Sequence, residues 1–238
     1  MRTAPPRSRI YVCFALLAVS AAMVGFFTTF TRPLWRGEFH GPVIAYVHGA
    51  LVLTWLLLFL TQTLLVQSRQ VARHRILGWT GVAVAPGVAL TTMAMGVHAL
   101  HRDLAAGGGE TAVSSLLGTF TTPLIFTALF ATAVAYRRRS DFHKRLMLLA
   151  TLVILWPAFF RFRHYFPDVP RPDLWFAFVL PNCMILLAML HDRLTTGRVH
   201  PVYWTAGLAV IVDAGAEVAL FDGHSWRMAS QWLAAFFI

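Results

Sequence analysis

Seven runs of apolar residues divide the chain, at 10–30, 42–66, 76–100, 113–136, 146–163, 174–191 and 202–221. Within each run the apolar positions are nearly continuous, neither alternating as in a half-buried strand nor confined to one helical stripe. That is the pattern of a helix with apolar surroundings on every side. About 20 residues at 1.5 Å each cross a hydrocarbon core of about 30 Å, and most of the runs reach that length. The fifth is continuously apolar only over 146–160, and Phe162, Tyr165 and Phe166 extend it past Arg161. The first continues to Phe30, too long for the apolar part of a signal peptide, so it is expected to persist as a span. The tail, 223–238, sets Trp226, Met228, Trp232 and Phe236 among Arg227, Ser230 and Gln231. It is too short to cross and predicts an amphipathic helix lying in the interface. No internal repeat or long linker interrupts residues 1–238, so the expected fold is all-α: one integral membrane domain, a seven-helix transmembrane bundle with an interfacial C-terminal helix.

Composition agrees with lipid as the main solvent. The chain is 58% hydrophobic and 13% charged, against about 45–50% and about 25% in soluble domains. That excludes a disordered chain, a soluble enzyme and a disulfide-stapled module. The net charge of +10 would suggest nucleic acid in a soluble protein. Here the basic residues sit in short clusters between apolar runs: Arg2, Arg7 and Arg9; Arg69, Arg73 and Arg75; Arg137, Arg138, Arg139, Lys144 and Arg145. Counted on alternate sides of the spans, Lys and Arg number 13 and 7. The richer side is expected to be cytoplasmic, which puts the N-terminus inside and the tail outside. The bilayer is thus the expected partner and nucleic acid is not. Cys13 and Cys183 fall inside apolar runs and read as small buried hydrophobes.

Polar groups at membrane depth are expensive and mark function. Asp213 lies 11 residues into the last span, roughly 16 Å deep, and Glu217 follows one turn later on the same face. Arg161 and Glu217 each lie 15 residues beyond the start of an outward-running span. They are therefore expected to pair or to share one cavity, in a buried polar network with Asp213 and Asn182. His48 sits roughly 9 Å below the outer surface, near His98 and His101. On the inner side His74 and His143 each open a span, and Asp141 precedes His143 by two residues.

The segments YVHGALVLTWLLLFLTQTLLV with HRILGW, FHKRLMLLATLVILWPAFFRF, and HDRLTTGRVHPVYW resemble a group of bacterial polytopic membrane proteins of unassigned function. That resemblance implies the bacterial inner membrane. Paired histidines on neighbouring spans also look like the di-haem transmembrane cytochromes of the ascorbate-reducible, b-type class, in which two imidazoles ligate haem iron. It implies b-type haem held among His48, His98, His74 and His143; a small-molecule or quinone-type ligand is a separate expected partner. His74 and His98 stand 24 residues apart on one span, about 36 Å. That spacing suits one outer haem through His48 better than a two-haem wire. A membrane redox protein is the first expectation. A proton-coupled or small-molecule transporter using Asp213, Glu217 and Arg161 is the second. A metal-dependent intramembrane hydrolase using His48, His98 and His101 with a carboxylate is the third. P-loop, dinucleotide-binding, nucleophile-elbow and CxxCH motifs are absent.

Overall fold

The computed structural model describes residues 9–237. Arg2 and Arg7 of the first basic cluster lie outside that range. Seven helices are long and apolar enough to cross a membrane: α1 Ile10–Trp35, α2 Val43–Gln67, α3 Val71–Ala105, α4 Gly109–Ala135, α5 Ser140–His164, α6 Asp173–Thr196 and α7 Tyr203–Leu220. A shorter helix, α8, covers His224–Ala234. No strand occurs among the described residues.

Two spans run further than hydrophobicity alone predicts. α3 has 35 residues, about 52 Å at 1.5 Å each, well beyond a hydrocarbon core of about 30 Å. Its first two turns take in Arg73, His74 and Arg75, and α5 likewise begins at Ser140, ahead of His143, Lys144 and Arg145. Long basic side chains can lie along a helix while their charged heads stay at the water boundary, so basic clusters extend these helices rather than end them. Proline sets the irregularities. Pro157 lacks a backbone N–H and crowds the carbonyl one turn earlier. The regular α-helix of α5 stops at Val153 and resumes at Trp156. Widened turns at Phe27–Thr31 and Asp173–Val179 come just before Pro33 and Pro181.

The core is organised around α5. Its residues Leu148, Leu149, Ala150, Thr151 and Leu152 are buried in succession, which requires neighbours on every side of the helix. Trp55 of α2 is also fully buried. It donates its indole N–H to Thr151 Oγ1 at 3.3 Å and packs edge-on against Phe126 of α4. The other helices bury a single side and leave Leu17, Leu57, Leu90, Leu124, Leu187 and Val212 exposed, as lipid-facing surfaces do. On α1 the buried stripe is Phe14, Ala15, Ala18, Ala21 and Gly25. Cys13, expected to be buried, falls outside that stripe and is exposed, while Cys183 is partly covered.

α8 packs on the start of α4. Trp226 donates to the Ser114 carbonyl at 2.8 Å, and Arg227 bridges Asp222 (2.8 Å) and Glu110 (2.5 Å). Its other side exposes Met228, Trp232 and Phe236. The Arg227 guanidinium, followed by the Ser114 hydroxyl, holds the Asp222 carboxyl down at about 2. A carboxylate held below its ordinary value stabilises the fold above that value and loses the effect as pH falls through the lowered one. Docking of α8 is therefore expected to persist at pH 5 and to fail progressively from about pH 4 toward pH 2. Amide hydrogen exchange across 224–234 reads this directly. The Asp222→Asn variant is expected to exchange faster at neutral pH as well.

Candidate functional site

The starts of α3 and α5 and the end of α2 converge at the basic end of the bundle. The rings of His74 and His143 meet there in an edge-on arrangement, with centroids 6.3 Å apart and planes at 81°. His143 Nδ1 donates to the Ala133 carbonyl of α4 at 2.8 Å. That bond fixes the neutral tautomer and leaves Nε2 as the acceptor nitrogen. On the other ring, His74 Nδ1 is buried without a hydrogen-bond partner. Both amide atoms of Gln62 on α2 are buried in the same state. Gly78, one turn beyond His74, leaves space beside that amide, since a Cβ there would lie 3.8 Å from Gln62 Nε2. Buried polar atoms normally find partners. Two neighbouring side chains with unfilled hydrogen-bonding capacity therefore mark a place suited to a further ligand.

Beside this pair lies the most strongly connected charged cluster of the molecule. Arg145 of α5 and Asp192 of α6 form a two-pronged ion pair, Nε to Oδ2 at 2.8 Å and Nη2 to Oδ1 at 2.6 Å. Their side chains are only 6% and 4% exposed. A third N–H of Arg145 goes to the Asp141 carbonyl at 2.7 Å, and Asp192 also accepts the His200 backbone N–H at 3.3 Å. Tyr203 lies beneath the guanidinium and Tyr11 of α1 bonds to Tyr203. His200 Nδ1 accepts the Val202 N–H, so its Nε2 carries the hydrogen toward Asp141 at 3.4 Å. Burial first, then the Arg145 charge, push the His200 imidazole below its ordinary value, with Asp141 working in the opposite direction. Sequence reasoning missed this cluster because Arg145 and Asp192 read as charges of two different loops. Both stand in segments that carried the family resemblance, FHKRLML and HDRLTTGR.

At the opposite end the expected polar network separates into local contacts. Arg161 and Glu217 form no ion pair. Arg161 donates to the Pro157 carbonyl at 2.8 Å and to Thr29 Oγ1 at 3.3 Å, and its guanidinium lies 4.0 Å over the Phe26 ring. Glu217 accepts from Thr121 at 2.5 Å. Asn182 donates to the Phe178 carbonyl at 2.7 Å. The break at Pro157 accounts for the separation: past it α5 tightens over Arg161–His164 and presents Arg161 to α1. Asp213 and Glu217 share a face of α7, as expected, and Asp213 is partly buried.

His48 is held through Nδ1, which leaves its Nε2 as the acceptor nitrogen, as in His143. Thr91 donates its hydroxyl to the Gly87 carbonyl at 2.7 Å and so accepts from His48 Nδ1 at 3.1 Å. His98 is partly buried and His101 exposed. Among the described residues no three His, Cys, Asp or Glu side chains gather closely enough to hold a metal ion, so His48, His98 and His101 do not form the expected set.

No protein-family model matches the chain, and no curated protein or solved structure is detectably similar to it.

Proposed function

We propose that this chain is a multi-pass membrane redox protein whose His74 and His143 would hold b-type haem at its basic end. The observation that carries this reading is the close approach of two imidazoles from different helices. Their ring centroids stand 6.3 Å apart. The donor set fits as well: imidazoles from two different helices, one of them oriented through Nδ1 by a backbone carbonyl. When bound, the haem supplies one-electron chemistry. The protein's part is orientation and environment. Ala133 holds the His143 ring, Gln62 offers both a donor and an acceptor alongside, and Gly78 keeps the space between them open. The excess of Lys and Arg at this end supports a cytoplasmic placement, and the exposed Met228, Trp232 and Phe236 support an interfacial position for α8 on the other side.

The test is a visible spectrum of protein expressed with haem supply and purified. The expected result is a Soret band that disappears in His74→Ala and in His143→Ala and survives in His48→Ala and His98→Ala. Absence of the band, or its dependence on His48 in place of His143, overturns the assignment.

A second reading, proton-coupled transport, draws on Glu217. Its carboxyl accepts from Thr121 and forms no ion pair among the described residues, which suits a group that exchanges a proton within the membrane.

A further inference from the structure

A cavity of about 270 Å³ opens at the basic end beside the buried ion pair, lined by Asp141, Lys144, Arg145, Thr196, Arg198 and His200. Its charges are unevenly matched. Arg145 is neutralised from behind by Asp192. Asp141 is shared between His200 at 3.4 Å and Arg139 at 4.0 Å. Lys144 and Arg198 form no ion pair with any described residue. The Lys144 ammonium lies 5.2 Å from the centroid of the Tyr11 ring. Arg145 has five N–H groups and spends three of them on Asp192 and Asp141, so two are left.

Basic residues at this end are expected from orientation alone, but here they are held in place. Gly197 adopts φ +76°, the left-handed conformation that ends α6. The Arg193 guanidinium donates to the Gly197 carbonyl, and Thr196 Oγ1 donates to the Arg198 carbonyl at 2.9 Å. This turn brings Arg198 back over the first turn of α5, where Lys144 and Arg145 stand side by side. Two unmatched cations and a half-used guanidinium thus converge on one concave site at the level where a helix leaves the membrane. Guanidinium and ammonium groups so arranged suit the three oxygens of a phosphate group, and basic pockets between span ends are a known form of headgroup recognition.

We infer that this cavity binds a phosphate group, either the headgroup phosphate of an anionic phospholipid or free phosphate. The site stands apart from the haem reading, because neither His74 nor His143 lines it.

The test uses the full chain in nonionic detergent and follows its melting temperature. Three probes are added separately: phosphatidylglycerol, phosphatidylcholine and inorganic phosphate. The variant is Lys144→Gln with Arg198→Gln, which removes no ion pair. The control is Arg137→Gln with Arg138→Gln, which removes the same charge from the same end but outside the cavity. Wild type and control are expected to be stabilised by phosphatidylglycerol well above phosphatidylcholine, with half-saturation about tenfold or more weaker in the cavity variant. A response of the same kind to inorganic phosphate alone identifies free phosphate as sufficient, whereas its failure beside a response to phosphatidylglycerol identifies the lipid. The proposal is overturned if neither probe shifts the wild type, if the cavity variant responds as wild type does, or if the control loses as much.

Discussion

Replacing Arg145 with alanine is expected to cost about 3–5 kcal/mol, enough to unfold many membrane domains of ordinary stability, and Asp192→Ala is expected to cost as much. The two side chains are 6% and 4% exposed and joined by two short bonds. Deleting either one leaves the other buried with its charge unmatched. The Asp192 carboxylate would keep only the His200 backbone N–H at 3.3 Å. An orphaned Arg145 would keep only the Asp141 carbonyl and the Tyr203 ring. Removing both charges together removes the penalty that each single change exposes. The double variant Arg145→Ala with Asp192→Ala is therefore expected to melt well above the value that the two single losses would give if added. Thermal melting of all four proteins in one detergent gives the coupling between the sites. Additive losses would show that the pair holds the helices through packing and not through charge.

That pair also shows where reading the sequence reaches its limit. The seven spans were legible because an apolar run reports its own environment residue by residue, with no need to know its neighbours. The ends were less so. Arg73 and Arg75 look like a loop, yet they sit in the first two turns of α3, since a basic side chain changes the solvation of a helix without breaking it. Partnership was the hardest to read. Arg145 and Asp192 are 47 positions apart and each looks like an orientation signal. The four candidate histidines were visible, but depth counting favoured His48 and could not show that the His74 and His143 rings lie side by side on two different helices. Counting residues gives height along a helix and says nothing of rotation about its axis. Arg161 and Glu217 share a height by that count, and still one turns to α1 and the other to α4.

Rotation and close approach decide the second large effect, at Gly25. A Cβ built there would lie 2.1 Å from the Ala158 carbonyl oxygen and 2.8 Å from its carbon. These are backbone atoms of α5, so no side chain can swing aside, and even alanine has to push the two helices apart. Small residues on a helix face let backbones approach in a membrane, and Ala15, Ala18, Ala21 and Gly25 form such a face on α1. The contacts next to Gly25 depend on the same spacing. Tyr165 donates to the Val24 carbonyl at 2.8 Å, while Phe26 and Thr29 hold the Arg161 guanidinium. Overpacking a well-filled core costs about 1–3 kcal/mol, and Gly25→Ala is expected at or above the top of that range, with Gly25→Leu not recovered as folded protein. Gly87 supplies the contrast. A Cβ there would lie 3.2 Å from the end of the Leu51 side chain, which can rotate, so Gly87→Ala is expected to melt near the wild type. If the two alanine variants melt together, close backbone approach at Gly25 is not what seats α1 against α5, and the hold on Arg161 must come from its own contacts.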